Sequence, residues 1–276
     1  MINAGQRDGD GDGDRGLGAG AAGASDVVAE GGRLPMVDLG RMSYAAAFAE
    51  QERRHAEALE RRERYELDDP ACPLGTVLLV EHDPPVITVS RRPGASAHLL
   101  ASAEALERMG VEVEATDRGG DITYHGPGQL VAYPIVDLNR VGIRLHEYMR
   151  LLEASVIDAV GAFGVAARRD PEATGVWVDD PGRPADPRGA KVCAVGVRVR
   201  RWATMHGLAL NVTTALEHFK LIVPCGLAGR PVTSLERVLG ERTPGMEGVK
   251  AALVGSLRGR LTGAFEAKRG AGADAG

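Results

Sequence analysis

Aromatic side chains are scarce in this chain: Phe, Trp and Tyr together make up 4% of its 276 residues. That is too few for a surface that stacks nucleobases. Positive charge is not in excess either, since 33 Lys and Arg face 38 Asp and Glu for a net charge of -5. Binding that relies on phosphate attraction is disfavoured, and no nucleic-acid partner is expected. Cysteine is rare: Cys72, Cys193 and Cys225 cannot build a disulfide framework, and no C-x-x-C spacing offers zinc a site. That thiol content suits a reducing cytosol, so a cytoplasmic location and no metal are expected. No apolar run is long enough to cross a bilayer, so no membrane partner is expected. The N-terminal stretch lacks the apolar core of a signal peptide, and its aspartates argue against a mitochondrial transit peptide. Asp8, Asp10, Asp12 and Gly13 open like a calcium loop, but Ala19 stands where the bidentate Glu is required.

What is present begins with low complexity. Residues 1–33 are Gly-, Ala- and Asp-rich, too small and polar to offset the entropy of ordering, and are read as disordered. Residues 34–262 form the expected catalytic domain, and residues 263–276 a loose tail. Ser43 caps a predicted helix to about Glu66, with Tyr44, Phe48 and Leu59 on one face and Glu/Arg pairs on the other. "GTVLLVEH", "PPVITVS", "VEVEATD", "QLVAYPIVDL" and "GVWV" read as strands, and Ser102 to Met109 as a short helix. The spacing of Leu145, Tyr148, Leu152, Val156 and Ala159 predicts a helix over Arg144 to Ala162. "KVCAVGVRVRRW" and "HGLALNV" suggest a hairpin, and two helices follow over Thr233–Leu239 and Gly245–Leu261. Strands and helices are intermixed rather than alternating. The fold class is therefore α/β, a mixed sheet with flanking helices.

Four segments carry chemistry. "RGGDITYHGPGQL", Arg118 to Leu130, is neither a dinucleotide fingerprint nor a P-loop. Its glycines allow backbone to approach a ligand closely, although a tight hairpin would use them too. In "PCGL", Cys225 sits on a bend between Pro224 and Gly226, where a thiol can meet an acyl group, though free cysteines are often simply buried. A thiol near pKa 8.5 needs a nearby cation to ionise, and Lys191 at the start of an apolar strand is a candidate. An edge lysine that discourages aggregation would look the same. Cys193 lies two residues from Lys191, hence on the same strand face, where Val195 and Val197 make it an interior thiol. Cys72 is expected on a surface loop, with no histidine or cation motif attached. His125 and His206 each precede glycine and could orient groups in a shared cleft or serve structure alone.

Taken together, "RGGDITYHGPGQLVAYPIVDL", "KVCAVGVRVRRWATMHGLALNV" and "IVPCGL" closely resemble the lipoyl(octanoyl) transferases, over roughly Leu34 to Leu261. The resemblance implies a biotin/lipoate ligase-like catalytic domain. It implies that Cys225 carries an acyl thioester and that Lys191 lowers the thiol's pKa. It assigns substrate binding to Arg118, Gly119, Gly120, Asp121, Ile122, Thr123, Tyr124 and His125, to Ala194, Val195 and Gly196, and to Gly207, Leu208 and Ala209. It further implies a monomer with no cofactor beyond the phosphopantetheine of its donor, octanoyl-acyl carrier protein. The acceptors implied are lipoyl domains of 2-oxoacid dehydrogenase complexes and the glycine cleavage H protein. Arg198, Arg200 and Arg201 are candidates to dock such acidic carriers. The chain departs from the family in its N-terminal extension and in "DDPGRPADPRG" ahead of Lys191. Two other readings remain, an ATP-dependent lipoate-protein ligase and a non-catalytic ligand sensor. "PCGL" with Lys191 weighs against the first; the second is disfavoured because the first 33 residues cannot form a helix-turn-helix and the cysteine is present.

Overall fold

A computed structural model of the chain describes residues 33–182, 188–223 and 230–273. The extension expected to be disordered therefore lies, apart from Arg33, outside the described residues. The chain enters through strand β1 (Met36–Met42) and helix α1 (Tyr44–Arg64), whose cap Ser43 accepts from the Ala46 N–H. Strands β2 (Gly75–His82) and β3 (Val86–Ser90), helix α2 (Ala103–Arg108) and strands β4 (Glu112–Thr116), β5 (Ile122–His125) and β6 (Gln129–Val136) follow. Next come α3 (Leu138–Val141), α4 (Leu145–Gly161), β7 (Ala167–Arg168), β8 (Val176–Val178), β9 (Ala190–Arg200) and β10 (Ala203–Asn211). Helices α5 (Leu235–Leu239) and α6 (Met246–Ala273) complete the described chain.

The strands form a seven-stranded sheet in the order β1-β2-β6-β10-β9-β8-β7 and a three-stranded one in the order β4-β3-β5. Each contains one parallel pair, β1 with β2 and β3 with β4, so the mixed α/β expectation holds. Adjacent "GTVLLVEH" and "PPVITVS" do not pair: the first joins the large sheet and the second the small one. One face of the large sheet packs Val192, Cys193 and Leu210 against Leu152 and Val156 of α4 and Leu253 and Leu257 of α6. The other face packs Leu78, Val131 and Tyr133 under Ala47 of α1. Ile87, Ile122 and Tyr124 of the small sheet make a third core with Leu106 of α2.

The helix ends follow their caps. Arg144 N–H donates to the Glu147 carboxylate at 2.7 Å, and α4 spans the expected range. The buried face of α1, however, is Tyr44, Ala47, Gln51, His55 and Ala58, with Phe48 and Leu59 only half-buried. Cys72, expected on a surface loop, is fully buried, its thiol against the Pro73 carbonyl at 3.4 Å. Among the described residues no helix is long and apolar enough to cross a membrane.

The expected loose tail is largely helix. Helix α6 runs on to Ala273 because Phe265 is fully buried and the Lys268 ammonium donates to the Asn139 carbonyl at 2.8 Å. Phe265→Ala should therefore destabilise the fold by about 3–5 kcal/mol in equilibrium chemical denaturation. A change below about 0.5 kcal/mol, the usual surface value, would mean that this turn is not part of the core.

Candidate active site

A cavity of about 510 Å³, open to solvent, lies on the α1 side of the large sheet. Its walls are Tyr44 of α1, the Arg118–Asp121 loop, Thr123 and His125 of β5, Val131 and Tyr133 of β6, and Ala194–Gly196 and His206–Ala209 of the β9–β10 hairpin. Most of the substrate residues implied by the sequence resemblance meet here. Ile122 and Tyr124 do not line the cavity. Alternation along β5 turns them into the small-sheet core, and Thr123 and His125 toward the cavity. Tyr44, Val131 and Tyr133, which the sequence places on a helix face and in a strand but not in the site, reach it from α1 and β6.

Glycine explains how the loop comes so close. Gly119 N–H donates to the Val197 carbonyl at 2.9 Å, and a Cβ on Gly196 would stand 2.8 Å from the Gly119 oxygen. The Arg-Gly-Gly segment thus crosses β9 backbone on backbone. Arg118 holds it there from the side, its guanidinium donating to the Thr88 carbonyl and hydroxyl, each at 2.9 Å.

Polar side chains around the cavity are held in networks. Gln129 donates to Tyr124 O and to Asn211 Oδ1, and Asn211 donates to Thr233 O. Gln129 Oε1 is therefore an acceptor, and His125 Nδ1–H donates to it at 2.7 Å. Burial, with His82 nearby, holds the His125 imidazole well below its usual pKa. Burial likewise brings His82 to about 4. Its Nδ1–H faces the Met42 carbonyl, so Nε2 accepts from the Tyr133 hydroxyl at 2.7 Å. His206 holds a left-handed φ of 58°, its N–H bound to buried Gln51 and its Nε2 2.8 Å from Asp117. Its pKa is lowered by burial despite that carboxylate. Burial alone would raise Asp117, but the His206 hydrogen bond and the Arg198 guanidinium keep it below the usual value.

Lys191 lines a smaller adjoining cavity with Gln129, Asn211, Phe219 and Val232, and the two share Thr123, Ala194 and Ala209. The lysine is nearly buried. Its position rests on an irregularity that the sequence reading missed. Trp177 of β8 pairs with Lys191, but Val176, one residue earlier, pairs with Cys193, two residues later. Val192 is the extra residue of a β-bulge. Val192 and Cys193 consequently both enter the large core, while Lys191 and Ala194 face the cavities. Lys191 and Cys193 are not on one face, contrary to expectation. Burial pushes the Cys193 thiol up to about 12, leaving it inert.

Cys225 lies outside the described residues. The chain just beyond it is described and runs beside Lys191: Lys191 N–H donates to Pro231 O, and Thr233 N–H to Lys191 O, both at 2.9 Å.

The profile "Lipoyl protein ligase A/B catalytic domain" matches residues 43–258. Among similar proteins are an octanoyltransferase from Geobacter metallireducens, 41% identical over 83% of this chain and 90% of that protein. Another, from Rubrobacter xylanophilus, is 42% identical over 82% of this chain and 94% of that protein. Among solved structures, a bipartite lipoate protein ligase from Thermoplasma acidophilum superposes with a TM-score of 0.59. It is 16% identical, with 84% of each chain covered. Lipoate-protein ligase A bound with ATP has a TM-score of 0.56 at 16% identity, with 84% of this chain and 85% of that one covered. These likenesses bear on the fold alone.

The histidines make stability pH-dependent. Unfolded, each titrates near about 6.5; folded, His82, His125 and His206 all sit lower. The unfolded chain therefore binds more protons as pH drops below about 6.5, and that stability is progressively lost toward pH 4. His82 alone accounts for roughly 3 kcal/mol of it by pH 4. Denaturation measured across this range should show the fall, with a shallower slope for His82→Gln. A flat profile would contradict the buried neutral imidazoles.

Proposed function

Because the chain belongs to the octanoyltransferase family and carries a lipoyl protein ligase A/B catalytic domain, we propose that it transfers an octanoyl group to lipoyl domains through a thioester on Cys225. The observation that carries this reading is the Lys191 amine. It lines one of two adjoining cavities and is hydrogen-bonded through its backbone to Pro231 and Thr233, close after Cys225 in the chain.

In the first step the Cys225 thiolate attacks the thioester carbonyl of octanoyl-acyl carrier protein. A new C–S bond forms, the phosphopantetheine thiolate leaves, and Lys191 supplies its proton. One thioester replaces another, so the step is near thermoneutral and needs no ATP. In the second step the target lysine's amine attacks the acyl-enzyme, Cys225 departs as thiolate, and the surplus proton goes to Lys191. His125 is a poor alternative acceptor, since burial holds its pKa well below the usual value even though the Gln129 hydrogen bond raises it in part. An amide forms from a thioester, which draws the sequence forward. Each methylene buried along Val131, Ala194, Leu208 and Ala209 contributes about 0.8 kcal/mol to holding the chain.

No cofactor enters this scheme beyond the donor's phosphopantetheine. The acceptors are lipoyl domains of 2-oxoacid dehydrogenase complexes and the glycine cleavage H protein, met by a cytoplasmic monomer. Arg198 is engaged by Asp117, which leaves exposed Arg200 and Arg201 to meet acidic carriers.

Intact mass spectrometry after incubation with octanoyl carrier protein tests the scheme. One octanoyl adduct is expected without ATP, abolished by Cys225→Ser and retained by Cys193→Ala. Lys191→Ala should slow its formation by about 10²–10⁴, the usual contribution of a positioned acid–base. Modification of a lipoyl domain only when free octanoate and ATP are supplied would establish a ligase instead.

A further inference from the structure

Trp177 is one of two tryptophans in the chain, and no exposed edge of it remains. Its indole N–H donates to the Ala173 carbonyl at 3.1 Å, which fixes the ring's rotation. The Lys191 ammonium lies over this ring, 4.8 Å from its centroid. The Arg230 guanidinium lies over the same ring at 4.0 Å, itself paired with buried Asp170. Gly175 clears the approach: a Cβ there would stand 3.3 Å from Lys191 Cε.

A lysine on a flexible four-carbon stem does not hold one position unaided. The π-face of a buried indole attracts the ammonium, and β8 carries that indole opposite Lys191 across the bulge. Arg230 would compete for the ring as a second cation, but Asp170 balances its charge. We infer that Trp177 is a positioning residue for the acyl-transfer lysine, its ring holding the Lys191 amine in the smaller cavity. The inference rests on the role proposed above for Lys191. Trp177 touches neither donor nor acceptor; it acts through the lysine.

An aromatic ring rather than bulk is what the role requires. Under single-turnover acylation by octanoyl carrier protein, Trp177→Leu should slow the chemical step about ten-fold, equivalent to 1.36 kcal/mol, with KM changed less than about two-fold. Trp177→Phe should restore the rate to within about three-fold, because a π-face remains. A Trp177→Leu enzyme as fast as the parent, or one impaired only in KM, overturns the inference. So does a Phe variant as slow as Leu. A parent chain that forms no adduct would instead remove the octanoyl reading. The contact itself is then tested without activity. In a Trp202→Phe background, where Trp177 is the remaining tryptophan and is excited selectively over tyrosine, Lys191→Met should alter the emission intensity or maximum. An unchanged spectrum places the amine away from the ring and overturns the inference on its own.

Discussion

One extra residue in β9 decides which groups of this protein can do chemistry. Val192 bulges against β8, and the strand's alternation slips by one at that point. Without the slip, Lys191 and Cys193 would share a face, and either the amine would be buried in the large core or the thiol would enter the cavity. With it, the thiol is buried among Val176, Val192 and Leu210, while the amine faces the smaller cavity. The bulge is fixed from both sides. Trp177 pairs with Lys191 on β8, and Pro231 and Thr233 bond the lysine's backbone on its other side.

The cavity depends in turn on backbone packed against backbone. Gly119 and Gly196 meet where the Arg-Gly-Gly loop crosses β9, leaving no room for a Cβ on Gly196. The small sheet is thereby held over the hairpin, and a slot between layers becomes the larger cavity. His125, Gln129 and Asn211 form one hydrogen-bonded chain ending on the Thr233 carbonyl, beside Lys191. A network completed in this way keeps its amides oriented, while burial holds the His125 pKa well below the usual value.

Local rules recovered much of this. The spacing of α4, the Ser43 cap, the start of α2 at Ser102 and the β9–β10 hairpin all depend on residues a few positions apart. Most of the cavity walls followed from the resemblance of three sequence blocks. What stayed hidden was long-range. Tyr44, Val131 and Tyr133 reach the cavity from α1 and β6, and burial of Phe265 depends on α6 meeting α4 and α3. The bulge was missed because strict period-two alternation was assumed for β9. Ile122 and Tyr124 show the same rule from the other side, since contiguous family positions alternate between cavity and core. Cys72 was misjudged because the acidic, proline-bearing stretch around it resembles solvent-exposed loop.

A crystal structure of the chain trapped with an octanoyl donor tests the central claim most directly. The account requires acyl density along the β9–β10 hairpin, with the thioester sulfur within hydrogen-bond reach of the Lys191 amine and the Cys193 sulfur still enclosed in the core. Density bonded to Cys193, or a Lys191 side chain turned to the α4 side of the sheet, would contradict it.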